Sequence, residues 1–338
     1  MRATAPAKTA ARGPSAPGRG RRGGLLAIII HLAAAPLALS FFTPAARAES
    51  RPPYEIVRSM EALQDQIALG NRAALNALPE VSGQLAEKLL AQPAAVWREP
   101  RNSRAAVIYV LSGGQARVLR KILAGFDGPA DERKLMEGAL AYVSGQEAKA
   151  KHIFADVDPR SLDSLVGAHV AVAEAALLVH EDPHRALDLL DTARILAPGT
   201  LVEEAALRRE VFLSQQIGDF DKFVTVAGQY LRRFSRSSYA ENFLNRFSAS
   251  LNAIAIAGRL DQVTRLEPIL DEMGENGRLR LYLAIAQSAL VNGKLDTAQY
   301  ASVKAAGLAR QGSAEARRAA LYAGAVDILL HPGESGPS

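Results

Sequence analysis

The chain of 338 residues has no cysteine, and aromatic residues make up only 6% of it. The absence of cysteine excludes disulfide frameworks and thiolate chemistry, so the stability of the fold must come from burial of apolar groups. Hydrophobic residues amount to 49% of the sequence, and much of this fraction is Ala and Leu. Such a mixture favours close-packed helices over sheets, and it predicts an all-α fold.

Three common catalytic sequence motifs are also missing. The sequence contains no G-x-x-x-x-G-K, no G-x-G-x-x-G after a strand and no G-x-S-x-G, and its one H-E-x-x-H match, at residues 180–184, has Pro183 inside it, where a zinc-binding motif needs one continuous helix. These patterns mark phosphate binding, dinucleotide binding, nucleophilic catalysis and zinc-dependent hydrolysis. We therefore predict that the protein is not an enzyme, has no catalytic residues and binds no cofactor.

Two histidines, His180 and His184, lie four residues apart, a spacing typical of metal ligands on one helix face. Asp182-Pro183 stands between them and is predicted to end one helix and begin the next. The two imidazoles would then not share a face, and we predict no metal site.

Adjacent acidic residues occur at Glu203-Glu204 and at Asp271-Glu272. A catalytic pair of carboxylates must face each other across a cleft, whereas neighbours on a helix point apart. We expect both pairs to be exposed helix charges.

The first 48 residues differ from the rest of the chain. Met1–Gly24 is rich in Arg, Gly and Pro, Leu25–Phe42 is an apolar run, and Ala46-Arg47-Ala48 has the A-x-A form of a cleavage site. Together they predict a secretory signal peptide that is cleaved after Ala48. An uncleaved membrane anchor is the alternative, because eighteen apolar residues nearly span a bilayer. After residue 50 no uninterrupted run of 20 apolar residues occurs.

Cleavage would change the charge of the protein. Of the 40 Lys and Arg residues, seven lie in the first 48 positions, whereas all 35 acidic residues lie beyond them. The processed chain would carry 33 bases and 35 acids, so the basic character of the whole sequence gives no support to nucleic-acid binding.

The clearest helical unit is DPHRALDLLDTARILAP, Asp182–Pro198. Its residues Ala186, Leu190 and Ala193, followed by Pro198, have the spacing A-x3-L-x2-A-x4-P. This spacing resembles the second helix of a tetratricopeptide (TPR) repeat. One such helix cannot bury its apolar stripe alone, so neighbouring repeats are expected.

Turn signals recur at intervals of 31 to 40 residues. They lie at Gly114, Gly145, Glu181, Gly218, Gly258 and Gly293, each between two amphipathic segments. We predict a TPR-like α-solenoid of stacked helix pairs over residues 113–330, after an N-terminal helical region at residues 49–112 and before a flexible tail at residues 331–338. A coiled coil is the alternative, but turns this frequent argue against it.

The N-terminal region is less regular. A helix is predicted over Pro53–Gly70, shorter helices broken near Pro79 over Asn71–Ala91, and a loop over Pro93–Asn102. That loop and the helix after it bring the only tryptophan close to three arginines in sequence: Trp97, Arg98, Arg101 and Arg104. A tryptophan beside arginines is typical of protein interfaces, so we predict a partner-binding region here. The alternative is that Trp97 folds back onto the first helices.

Two segments resemble a known family. They are PYEIVRSMEALQDQIALGN (Pro53–Asn71) and WREPRNSRAAVIYVLSGGQARVLRKIL (Trp97–Leu123), and they are similar to the N-terminal half of MotC, a periplasmic motility protein of flagellated bacteria. The resemblance runs from about Tyr54 to about Leu330. It implies an exported protein that associates with the periplasmic part of the stator protein MotB and is needed for motor rotation. Members of the family have a longer C-terminal portion than this chain.

The function expected from this resemblance is a non-catalytic periplasmic accessory protein of the flagellar motor. Two other classes stay open. A general TPR-like scaffold in cell-envelope or peptidoglycan assembly would have the same repeats. An enzyme such as a lytic transglycosylase would need an additional catalytic domain, and no segment of the chain remains to form one.

Overall fold

The computed structural model describes residues 51–331. The predicted signal peptide with its cleavage site after Ala48, and all of the predicted tail except His331, lie outside these residues. Within them the chain is entirely α-helical apart from two short 3-10 helices, and no strand is present. The predicted all-α class is confirmed. No helix within residues 51–331 is both long enough and apolar enough to cross a membrane.

The helices follow one another through short connections. They are α1 (Pro53–Ala68), α2 (Arg72–Leu90), α3 (Pro100–Leu111), α4 (Arg117–Ala124), α5 (Ala130–Val143), α6 (Glu147–Phe154), α7 (Ser164–Leu178), α8 (Pro183–Leu196), α9 (Leu201–Gln216), α10 (Phe220–Phe234), α11 (Ala240–Ile256), α12 (Leu260–Arg265), α13 (Glu267–Leu270), α14 (Glu275–Val291), α15 (Leu295–Leu308) and α16 (Ala314–Leu330). The 3-10 helices are Ala94–Arg98 and Pro159–Ser161.

Tight glycine turns separate the helices of successive pairs. Gly145 follows α5 with a φ of 71°, and the N–H of Gln146 donates to the carbonyl of Ala141 at 2.9 Å, which closes the end of the helix. Gly218, Gly258 and Gly293 have the same left-handed conformation after α9, α11 and α14. The predicted turns are therefore present, although after α3 the left-handed residue is Gly113 rather than Gly114.

The turn between α7 and α8 has no glycine. Asp182 instead caps α8 by accepting a hydrogen bond from the N–H of Arg185 at 2.9 Å, and Pro183 is the first helical residue. This is the start predicted for the TPR-like unit, whose Ala186, Leu190 and Ala193 are all buried.

Two predictions for the N-terminal region are wrong. Pro79 does not break its segment, because α2 runs through it from Arg72 to Leu90. Proline inside a helix costs about 3 kcal/mol, and burial of Leu85 and Leu89 on the same helix offsets that cost. The segment predicted as a loop forms the first 3-10 helix, and α3 already begins at Pro100.

The largest apolar cluster lies in the second half of the chain, and stacked aromatic rings are at its centre. The ring centroids of Tyr230 and Phe243 are 3.7 Å apart, and those of Phe243 and Phe247 are 5.5 Å apart. A separate cluster in the first half includes Trp97, Tyr109 and other side chains of α1 to α7. Both clusters thus contain large aromatic side chains, which bury much apolar surface per residue.

The C-terminal end of α1 packs against α9 and against the α10–α11 connection, although these segments are far apart in sequence. Its residue Ala68 belongs to the same apolar cluster as Leu207, and the carbonyl of Ile67 accepts a hydrogen bond from the N–H of Ser238 at 3.0 Å. Gly70 allows this close approach, because a Cβ at that position would lie 2.2 Å from the carbonyl oxygen of Arg236. This contact goes beyond the nearest-neighbour packing expected of a simple repeat array.

Replacing Gly70 by Ala should therefore destabilise the protein more than replacing Gly145 by Ala. Both glycines have positive φ, so each substitution introduces backbone strain of about 1–2 kcal/mol. Only at Gly70 does the new methyl group also collide with another backbone segment, whereas a Cβ at Gly145 meets no atom within 4 Å. In urea unfolding, the free energy of unfolding of G70A should be lower than that of G145A by at least about 1 kcal/mol. Equal losses would contradict the tight docking of α1.

Candidate partner-binding surfaces

Trp97 is buried. Its side chain is only 4% exposed and belongs to the first apolar cluster, between residues of α2 and α4 that include Leu89 and Ile122. The structure thus places the indole in the core, as in the alternative interpretation of the sequence. The three arginines predicted with it lie around this region and face different partners.

Arg98 and Arg101 offer the most accessible surface of the group. Arg98 donates through Nε to Asp127 Oδ1 at 2.7 Å, and this bond holds the pKa of Asp127 below its ordinary value. The guanidinium carbon of Arg101 lies 3.6 Å from the centroid of the Tyr54 ring, a cation–π contact with the first helix. Both arginines are exposed, and their contacts hold them in defined positions on the surface.

Arg104 has a different environment. It donates through Nε to Glu132 Oε1 at 2.8 Å and through Nη1 to Asp163 at 2.9 Å, joining α3 to α5 and to the start of α7. The Glu132 side chain is 6% exposed and also accepts a hydrogen bond from Ser103 Oγ at 3.0 Å. Arg104 therefore neutralises a buried carboxylate.

Sequence reasoning missed a second basic surface. Helices α7, α8, α9 and α11 surround a cavity of about 420 Å³, and half of its lining residues belong to α9. Its lining residues are Ala175, Ala176, Val179, Leu190, Ala205, Arg208, Arg209, Phe212, Leu213, Gln216, Asn242 and Arg246. We call this cavity the arginine pocket. The only signal in the sequence is the dipeptide Arg208-Arg209 one helical turn before Phe212.

The face of α9 that packs against α10 carries buried acids, and this corrects the expectation that Glu203-Glu204 are exposed charges. Glu203 is 2% exposed and pairs with Arg233 at 2.7 Å, while its carboxylate also accepts the N–H of Gly199. Glu204 is fully buried and accepts a hydrogen bond from the Tyr230 hydroxyl at 2.8 Å. These partners belong to α10 and the α8–α9 connection, so they fix the rotation of α9 about its axis.

Glu210 is the third buried acid of this face. It accepts hydrogen bonds from Arg194 on α8, at 2.8 Å and 3.1 Å, and forms an ion pair with Lys222 on α10 at 3.2 Å. Asp191 is bound by the same two cations. Burial raises the pKa of Glu210 to about 7, a shift that the positive charge of Arg194 opposes.

His180 lies in the turn after α7, and His184 lies in the first turn of α8. His180 and His184 lie on either side of the Asp182 cap, as predicted, and no cluster of three possible ligands occurs within residues 51–331. His169 of α7 is 8% exposed and lies 3.3 Å from Ser112 Oγ through its Nε2 atom. Burial lowers the pKa of His169 to about 4, so this imidazole is neutral at physiological pH.

Replacing Glu210 by Gln should change the pH dependence of stability. The ordinary glutamate value is near 4.5, so between about pH 4.5 and 7 the folded protein retains a proton that the unfolded chain releases. The contribution of Glu210 to the free energy of unfolding therefore falls as pH rises through this range, by no more than about 3 kcal/mol. In urea unfolding, the free energy of unfolding of the original chain minus that of E210Q should therefore fall as pH rises through this range. Replacing the exposed Glu87 by Gln is the control and should give a flat difference. A difference that rises with pH would show that Glu210 ionises readily in the folded state.

Comparison with known proteins places this helical chain in a family. A family model described as "Chemotaxis protein MotC" matches residues 21–333. The chain is also 32% identical over 288 residues to the Chemotaxis protein MotC of Rhizobium meliloti (strain 1021). This match covers 84% of the chain but 64% of the length of that relative. The family match extends over nearly all of the sequence, so the chain belongs to the motility-related MotC family.

Proposed function

We propose that this chain is a periplasmic accessory protein of the flagellar motor that binds the periplasmic part of the stator protein MotB and is needed for rotation. The observation that carries the proposal is the MotC family match over residues 21–333. The description of the family, "Chemotaxis protein MotC", names no partner. Because the chain spans 64% of its relative's length, the partner and the requirement for rotation are part of the proposal.

The proposed location rests on the sequence of the first 48 residues. Their basic start, apolar run and Ala46-Arg47-Ala48 exit have the three-part form of a secretory signal peptide. This three-part form supports export to the periplasm. The chain has no cysteine, so no disulfide would form in an oxidising compartment.

The proposed mode of action is binding without catalysis, through a TPR-like arrangement of helix pairs. The pairs α5 and α6, α7 and α8, α9 and α10, and α14 and α15 have the helix–turn–helix form of such repeats and support this interpretation. In repeat proteins of this kind, corresponding helices of successive pairs form an extended binding surface.

The segment from Trp97 to Arg104 remains a proposed contact region. Arg98 and Arg101 provide the accessible groups, while Trp97 supports them from within the core. Affinity would depend on a few such anchors rather than on total area.

Substitutions in this segment should distinguish residues that stabilise the fold from residues that bind the partner. Replacing Arg104 by Met leaves the buried Glu132 with only the Ser103 hydroxyl, so the free energy of unfolding should fall by about 2–3 kcal/mol. Replacing Arg98 by Ala breaks an exposed ion pair and should leave the unfolding midpoint nearly unchanged. In a pull-down, R98A should capture less of the MotB periplasmic domain. Unchanged capture by both R98A and Arg101→Ala would exclude this segment as a contact.

The proposal as a whole is tested by gene deletion together with a pull-down of the full chain. Deletion should give cells with assembled but paralysed flagella, and the protein should retain the MotB periplasmic domain on an affinity resin. Normal swimming combined with a leaking envelope would favour the general scaffold and contradict the motor role. Peptidoglycan cleavage by the purified protein would contradict binding without catalysis.

A further inference from the structure

The arginine pocket concentrates the positive charge of three arginines. Among residues 51–331, no carboxylate lies within ion-pair distance of Arg208, Arg209 or Arg246. Arg194 and Arg233, on the neighbouring helices, each bind a buried glutamate. The arginines of the pocket thus differ from those that stabilise the fold.

Aromatic rings and the backbone hold these guanidinium groups instead. The guanidinium carbon of Arg246 lies 3.9 Å from the centroid of the Phe212 ring, and that of Arg208 lies 4.7 Å from the centroid of Tyr239. Arg209 donates through Nη1 to the carbonyl of Ala205 at 3.1 Å. Stacking on a ring face leaves the in-plane N–H groups of an arginine available as donors.

Few of the N–H donors of the cluster have a partner within the protein, and the side chains of Arg209 and Arg246 are exposed. Each guanidinium has five N–H donors, and the Nε of Arg208 is buried without any hydrogen-bond partner. Desolvation lowers the pKa of Arg209, and the like charge of Arg208 lowers it further. Glu204 is near enough to Arg208 to be affected by its charge, but that carboxylate is already bound by Tyr230. An anion in the pocket would supply the acceptors and the opposite charge that the cluster lacks.

The pocket wall indicates what kind of anion fits. Seven of the twelve lining residues are apolar, among them Val179, Leu190 and Phe212, and the volume is in the range of ligand pockets. A small inorganic anion would make no use of this apolar surface. A carboxylate next to an aliphatic side chain would use both parts, since arginine binds carboxylates through paired N–H groups.

We propose that the arginine pocket binds an acidic peptide segment of a protein partner. Its Asp or Glu carboxylate is bound by Arg208, Arg209 and Arg246, and a neighbouring apolar side chain packs against Phe212. The peptide class follows from the pocket itself, and only the assignment of the segment to the MotB periplasmic domain rests on the proposed function.

The first test uses a fluorescein-labelled peptide of alternating Glu and Leu, and a matched peptide with Gln in place of each Glu. Fluorescence anisotropy with the full chain should show binding of the Glu peptide at least tenfold tighter than that of the Gln peptide. The variants Arg209→Gln and Arg246→Gln should each weaken the Glu peptide about tenfold or more, while the control Arg120→Gln, on α4, should not. Equal binding of the two peptides, or competition by inorganic phosphate as effective as that of unlabelled Glu peptide, would overturn the proposal.

Thermal unfolding separates a binding role from a structural one. Removing one of three like charges that have no acidic partner should leave the unfolding midpoint of R209Q and R246Q unchanged or raised. A marked fall in the midpoint of both variants would show that the arginines serve the fold, and it would count against a binding pocket.

A pull-down with the MotB periplasmic domain distinguishes this inference from the proposed function. If the original chain captures the domain and the double variant R209Q/R246Q does not, both this inference and the proposed function are supported. If the double variant captures it equally well, the arginine pocket is not the site and the inference fails, while the motor role stands. If the original chain fails to capture the domain but binds the Glu peptide through these arginines, the inference stands and the assignment of the partner fails.

Discussion

The carboxylate of Glu210 is fully buried between a cation from α8 and another from α10, and the arrangement of the central helices depends on this cluster. A buried charge without a partner is strongly destabilising, so α8 and α10 must lie where Arg194 and Lys222 reach α9. Glu203 and Glu204 add constraints of the same kind through Arg233 and Tyr230. Because these contacts fix the rotation of α9, its residues Arg208 and Arg209 line the arginine pocket.

Local features of this fold could be predicted from the sequence, because their causes are local. A left-handed residue after a helix favours glycine, so turns such as those at Gly145 and Gly218 are visible as a periodic signal. The Asp182-Pro183 helix start was predictable for the same reason, since the capping carboxylate and the N–H group that donates to it lie three residues apart. The helical class followed from composition.

Features that depend on distant partners could not be predicted. Glu204 is bound by a hydroxyl 26 residues later in the chain, and no sequence pattern distinguishes it from an exposed helix glutamate. The burial of Trp97 depends on how α2 and α4 pack around it, and the helix through Pro79 depends on the same packing. The arginine pocket combines residues of α9 and α11, and only the three-dimensional arrangement brings them together.

The contact between α1 and α9 has a consequence for the order in which the chain acquires structure. Arg72, just after α1, pairs with Glu241 at a separation of 169 residues, next to the backbone bond from Ser238 to Ile67. A chain that is synthesised from its N-terminus has α1 long before the surface on which this helix docks. During that interval the apolar face of α1 lacks one of its neighbours, and non-local contacts of this kind form late in folding. Helix α1 can thus pack against α2 and α3 soon after synthesis, whereas the contact of its C-terminal end with the distant segment forms only after that segment has been made.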